Sequence, residues 1–239
     1  MKVYYLTKKQ ITNCILIMLI LLITSYFFSI CLTNNLAAIP TGKTTPIYYQ
    51  GAGDKKQISF AINVDWGEEF IPEMLQVLEK NKVHATFFLT GRWTEKFPDL
   101  ALTIAQKGHE IGNHGFSHNS PNKMSLEQNK EEINRAAQII KSATTKQTVL
   151  YAPPSGEKKP HVLMAAHELG YKTILWSIDT IDWKRPASHN IITRVLPRAH
   201  NGAIILMHPT HPTLEALPTL ISKLKSQGYF LVTVSENIK

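Results

Sequence analysis

The chain has 239 residues, 44% hydrophobic and 18% charged, with a formal net charge of +8. That length allows one large domain or two small ones, and the apolar content excludes disorder over most of the chain. Three of the positive charges belong to Lys2, Lys8 and Lys9, and no Arg-rich stripe interleaves with aromatics. Nucleic-acid binding therefore finds no support in the composition, whereas the moderate basic excess suits an anionic envelope.

The first predicted element is the apolar stretch from Cys14 to Leu32, which sits in a region free of charged residues from Gln10 to Gly42. As an α-helix this stretch is about 28 Å long, against a bilayer core of roughly 30 Å. An uncleaved membrane anchor fits that length. A signal peptide has a shorter apolar region of about 7–15 residues followed by a small-residue cleavage site, and Ala37 and Ala38 could supply one. Either reading places the rest of the chain outside the cytoplasm, because the lysines stay inside. Both cysteines, Cys14 and Cys31, lie within this segment, so the exported part has no disulfide and no thiolate ligand or nucleophile. Residues 37–56 are rich in Thr, Gly, Pro and Lys and read as a linker. The expected organisation is an anchor or signal over 1–36, the linker, and a folded domain over 57–239.

Beyond Lys56, apolar runs alternate with amphipathic ones. Strands are predicted over Gln57–Val64, Val83–Leu89, His109–Asn113, Thr148–Ala152, Lys172–Ile178, Ala203–Met207 and Tyr229–Val234. Helices are predicted over Ile71–Lys80, Thr94–Gln106, Leu126–Ser142, His161–Leu169, Asn190–Ala199 and Leu214–Ser226. Ser125 and Gln128 have the spacing of a capping box, and Gly108, Gly170 and Gly228 stand where left-handed helix caps favour glycine. Strand–helix alternation implies parallel βα units. Seven strands in this length point to an α/β fold, a distorted or open (β/α) barrel, with a doubly wound sheet as the alternative.

In such folds the C-terminal strand ends carry the chemistry. The first strand ends in Asn63, Asp65 and Trp66; the third leads to His114 and His118; the fourth to Ala152–Gly156. The fifth leads to Asp179, Asp182 and Trp183, and the sixth to His208. His114 and His118, four residues apart, can face one way if the segment turns helically, as two imidazole ligands to one metal must. Zinc suits imidazole plus an acidic oxygen, and similar divalent ions share that preference. His161, His167 and His189 fall on helical patterns and are expected to be solvated. Trp66 and Trp183 read as wall residues that could stack on a sugar face.

These strand-end motifs resemble those of the polysaccharide deacetylase (chitooligosaccharide deacetylase homology) family over about Gln57 to Lys239. His114-x-x-x-His118 matches its metal pair, Asp179-Thr-Ile-Asp182-Trp183 its fourth motif and Leu206-Met207-His208 its Leu-x-His motif. The Trp-Gly after the first strand, the APPSG and the LMHP look especially like sporulation-associated members from endospore-forming bacteria. The resemblance implies a distorted (β/α) barrel that removes acetyl groups from N- or O-acetylated sugars of peptidoglycan or chitin type. It also implies a divalent metal held by His114, His118 and Asp65, and a backbone oxyanion donor near Ser155. His208 would be the proton donor, and Asp65 and Asp182 are the candidates for the base.

Two departures stand out. The family places adjacent aspartates after the first strand, a base and then a metal ligand. A gap-free reading along the strand puts Asn63 and Val64 there, whereas a shift of one or two residues makes Asp65 the ligand or the base. Where the family has an arginine paired with the base, this chain has Ala152. A glycan-binding envelope protein that has lost turnover is therefore the rival to a deacetylase.

Overall fold

A computed structural model gives the conformation of residues 5, 7–35 and 46–239, with backbone only at residues 30–35. The chain divides into two compact units, Met1–Thr44 and Thr45–Lys239. The first contains α1 (Lys8–Asn35), whose segment Lys8–Ser29 has a mean hydropathy of 2.3 and is long and apolar enough to cross a membrane. The cleavage site considered at Ala37 and Ala38, and the linker residues up to 45, lie outside the described residues.

The second unit is a parallel sheet wrapped by helices. Its strands are β1 (Ile47–Tyr48), β2 (Gln57–Val64), β3 (Thr86–Leu89), β4 (Glu110–Asn113), β5 (Leu150–Tyr151), β6 (Lys172–Ile174), β7 (Ile178–Asp179), β8 (Ala203–Met207) and β9 (Phe230–Leu231). They run in the order β1-β6-β5-β4-β3-β2-β8-β7, every pair parallel, with β9 added beside the start of β2. The path has two ends, so this is the open, distorted (β/α) barrel expected from the alternation.

The outer helices are α2 (Ile71–Lys80), α3 (Gly91–Lys96), α4 (Pro98–Gln106), α5 (Leu126–Thr144), α6 (Pro160–Glu168), α7 (Ser188–Val195) and α8 (His211–Ser226). A short α9 (Val234–Asn237) closes the chain. α2 buries Ile71, Met74, Leu75 and Leu78, one stripe at helical spacing, each side chain contributing roughly 1.5–3 kcal/mol.

β2 sets the geometry of the site. Ile58, Phe60, Ile62 and Val64 point outward into the larger apolar cluster, together with the buried face of α2 and with Leu217 and Leu220 of α8. The alternate residues turn inward, Ala61 packing with Phe88, Ala152 and Ile204 in a second cluster. Asn63, and Asp65 just past the strand, continue that inward row into the cleft. Val64 faces the core, which removes it from any metal-ligand position.

Other expectations need correction. The stretch read as linker up to Lys56 already belongs to the folded unit: Ile47–Tyr48 pair with Thr173–Ile174, and the Gly51 N–H donates to Gly202 O at 2.7 Å. The predicted strand Lys172–Ile178 is two strands separated by Leu175, Trp176 and Ser177. The helix expected over Thr94–Gln106 breaks at Phe97, where Pro98 starts α4 and disfavours helical backbone in the residue before it. The last predicted strand stops at Leu231, because Thr233 and Glu236 form a capping box that opens α9.

Candidate active site

The C-terminal strand ends surround a cleft of about 460 Å³. Its polar lining comes from Asn63, Asp65, His114, His118, Asp179 and His208, its apolar walls from Trp66, Trp176, Trp183 and Leu206. With Ser155 after β5, residues from six separate strand ends meet there, five of them the ends singled out in the sequence.

His114 follows β4 directly and is buried. Its Nδ1 lies 2.6 Å from Ala152 O. An N–H at Nδ1 satisfies that carbonyl and leaves Nε2 as the acceptor toward the cleft. Burial, followed by the nearby His118, pushes the His114 pKa down to about 3, so the ring is neutral at neutral pH. The His118 pKa is lowered as well, again chiefly by burial. The two rings meet edge to face with centroids 5.0 Å apart. No helical turn brings them together. The segment between them is a loop, and Gly115 (φ 75°) and His118 (φ 56°) both adopt left-handed backbone.

His208 follows β8 and rests on a buried support. Its Nδ1 lies 2.7 Å from Asp182 Oδ1, while its backbone N–H donates to Asp182 Oδ2 at 2.6 Å. Thr213 Oγ1 in the first turn of α8 donates to the same Oδ2 at 2.6 Å. Asp182 is fully buried and does not line the cleft. It reaches the cleft only through His208, which makes it a positioning residue rather than a base facing substrate. The Trp66 indole stacks on His208 at 5.7 Å and 9°. Gly67 makes that approach possible. It has φ 84°, and a Cβ there would lie 2.1 Å from Pro209 O.

Asp65 is held differently. Thr90 Oγ1 donates to its Oδ1 at 2.8 Å and Arg92 Nε to the same oxygen at 2.7 Å, while a terminal guanidinium nitrogen of Arg92 binds Oδ2. This is the bidentate fork of Arg on a carboxylate, with the Asp65 side chain 7% exposed. Asn63 stands beside it with its Oδ1 unpartnered. Ser155, at φ 56°, forms part of the opposite wall.

Sequence reasoning missed Thr90 and Arg92. Both lie at the C-terminal end of β3, in the run Leu89-Thr90-Gly91-Arg92, and reading that strand end with the others reveals them. It also left Asp179 without a role; its Oδ1 accepts from the Ile181 N–H at 2.8 Å and shapes the turn leading to Asp182. His161, His167, His189 and His211 stay off the cleft.

The residues present do not assemble the expected metal site. Among the described residues, no three His, Cys, Asp or Glu side chains form a group that could hold a metal ion. Two imidazoles converge, but the carboxylate expected to join them has both oxygens bound by Arg92.

The profile of the polysaccharide deacetylase family matches residues 51–174. The chain belongs to the polysaccharide deacetylase family. It is 44% identical over 188 residues to YlxY, an uncharacterized protein of Bacillus subtilis, covering 79% of this chain and 59% of that protein. The match to the B. subtilis peptidoglycan-N-acetylmuramic acid deacetylase PdaA is 32% over 194 residues, covering 79% of this chain and 74% of the relative. Among solved structures, BA3943 from Bacillus anthracis, described as a CE4 family pseudoenzyme, superposes with a TM-score of 0.80 at 38% identity. That superposition covers 82% of this chain and 70% of BA3943. A BA3943 mutant described as having restored enzymatic activity superposes equally well, at 37% identity and covering 72% of that chain. The fold is thus that of CE4 deacetylases, and peptidoglycan deacetylases are among its relatives.

Proposed function

We propose that this polysaccharide deacetylase domain binds an N- or O-acetylated envelope glycan, of peptidoglycan or chitin type, in the cleft and hydrolyses it far more slowly than active family members. One observation carries this reading: Asp65 is followed by Trp66, where the family has two adjacent aspartates. The inward row of β2 excludes the one-residue shift, since Val64 faces the core; of the two registers left, the two-residue shift is the one that puts a carboxylate, Asp65, at the base position and Trp66 at that of the second aspartate. Trp66 brings no ligand oxygen. The likeness to a protein described as a pseudoenzyme points the same way. Trp183, half exposed at the rim, offers an apolar face to a pyranose ring.

A second reading, residual turnover, is favoured by the intact Asp182–His208 pair. Asp182 fixes Nδ1 as the protonated nitrogen of a neutral His208 and steadies the imidazolium. Protonated, His208 would donate from Nε2 to the departing amine or alkoxide, and the Ser155 backbone N–H would face the developing oxyanion. The missing element is the second carboxylate of the family's pair, where Trp66 stands, while Arg92 on Asp65 takes the place of the arginine that the family sets on its base.

The domain comprises residues 57–239 together with the strand at Ile47–Tyr48. We place it outside the cytoplasm, tethered by α1 as an uncleaved anchor, with secretion after signal cleavage as the alternative. The test is twofold: binding of N-acetylglucosamine oligomers and peptidoglycan fragments, and acetate release from the same ligands. Saturable binding with acetate release at least about 10²-fold below an active peptidoglycan deacetylase is expected. Release at the rate of the active enzyme would overturn the proposal, as would a failure to bind any of these glycans.

A further inference from the structure

Resting on the tether by α1 described above, we propose that the end of the folded unit where its strands begin docks on a bilayer surface rich in anionic phospholipid, through Phe230 and the lysines around it.

Parallel strands put their starts at the end opposite the cleft, and the chain enters the folded unit there, at Ile47 of β1. β9 begins with Phe230, which pairs with Gln57 at the start of β2 and donates its N–H to Lys56 O at 2.9 Å. The Phe230 side chain is 71% exposed, more than any other large apolar side chain of this unit. With Tyr229, Leu231, Val232, Lys82 and Lys225 it lines a groove of about 440 Å³. Lys56 reaches the same place: its Nζ lies 5.5 Å from the centre of the Tyr229 ring, and a Cβ at Gly228 (φ 85°) would stand 3.0 Å from it.

The charge around Phe230 is not neutralised. Among the described residues, Lys56, Lys82 and Lys225 form no ion pair. Lys225 Nζ donates to Asn81 O at 2.6 Å, a neutral acceptor that leaves its charge intact. Lys55, Lys80 and Lys223 are exposed in the same segments, 54–57, 79–84 and 223–232. Against these lysines stand Asp54 and Glu79, and Glu79 is held by Lys107 at 2.6 Å.

Lysines alone would suit any polyanion. The exposed phenyl ring decides for lipid, because a bilayer offers apolar chains just beneath its phosphates, whereas a soluble polyphosphate would leave the ring in water. Lysine stems can lie along that apolar layer while their ammonium groups stay with the headgroups. Docking by this end leaves the cleft, at the opposite strand ends, open to glycan.

The test uses the full chain inserted through α1 into lipid discs of phosphatidylcholine, alone or mixed with phosphatidylglycerol. Acylation of each lysine by an amine-reactive ester is followed by mass spectrometry. Lys56, Lys82 and Lys225 should react at least about fivefold more slowly in the phosphatidylglycerol discs, the weight of a single lysine at an anionic surface. High salt should restore their rates. Lys184, beside Trp183 at the cleft rim, should react equally in both discs. Phe230→Ser, and Lys82→Gln with Lys225→Gln, should each weaken the protection of Lys56. Equal rates in the two discs overturn the proposal, and protection by added poly(glycerol phosphate) in their place would assign the surface to a soluble polyanion. A chain that inserts into neither disc refutes the tether alone. The surface is then read from vesicle binding, which should favour phosphatidylglycerol over phosphatidylcholine and weaken in Phe230→Ser; equal binding to both vesicles overturns the proposal.

Discussion

Asp182 binds His208 twice, through Oδ1 to the ring Nδ1 and through Oδ2 to the backbone N–H of the same residue. The side chain therefore fixes both the ring orientation and the backbone that presents it. Asp182→Asn keeps the shape but affects three charge-assisted bonds, two from His208 and one from Thr213, and forces an N–H against a donor. We expect a loss of about 1–3 kcal/mol in chemical denaturation. Combined with His208→Ala, the loss should be smaller than the sum of the two single changes. Strict additivity would show that the two residues are not coupled.

Gly67 holds the turn that lays Trp66 on His208. Gly67→Ala must place a Cβ against Pro209 O at positive φ, costing about 1–3 kcal/mol. The altered contact should also change Trp66 fluorescence. Unchanged stability in a thermal melt would contradict this account.

His109 gives the fold an acid-sensitive point away from the cleft. It is buried against Phe87 and His84, and its Nδ1 accepts from the Ala85 N–H at 3.2 Å. Burial, followed by the charge of His84, lowers its pKa from 6.5 to about 4. Between those values the unfolded chain binds more protons, so stability is complete above pH 6.5 and declines as pH falls toward 4. The full effect is on the order of 3 kcal/mol. His109→Asn should flatten the stability profile in that window, with a residual slope from His114, which shifts in the same direction.

Trp183 is the exposed aromatic at the cleft rim. Trp183→Ala should weaken binding of N-acetylglucosamine oligomers by about tenfold, equivalent to roughly 1.4 kcal/mol, with little effect on the melting temperature. Isothermal titration with matched circular dichroism checks both halves.

Membrane fractionation tests the tether. The full-length protein should sediment with membranes and resist extraction by high salt, while external protease reaches the domain. A mature N-terminus near Ala38 in native material would establish cleavage instead.

Where a pattern is local, the sequence determined the element outright. The predicted bounds of β2, α2 and β8 coincide with those observed, because unbroken apolar runs and a helical stripe are read from neighbouring residues. The Ser125–Gln128 capping box formed for the same reason, and the left-handed Gly108, Gly170 and Gly228 follow their helices as expected. The order of the strand-end motifs was also enough to indicate the family. Tertiary structure alone decided which partner each site residue received. Ile47 and Tyr48 are a strand only because they pair with β6, the Leu175 N–H donating to Tyr48 O at 2.8 Å, and nothing in their immediate sequence says so. Asp65 and Arg92 are 27 residues apart, and Asp182 and His208 26 apart. The sequence offers Asp65 as a metal ligand or a base and Asp182 as a base, a support for a histidine or a structural acceptor, without choosing among these. The parallel register of β2, β3, β7 and β8 gives one to a guanidinium and the other to an imidazole, since contacts across a sheet depend on strand order and register rather than on local periodicity.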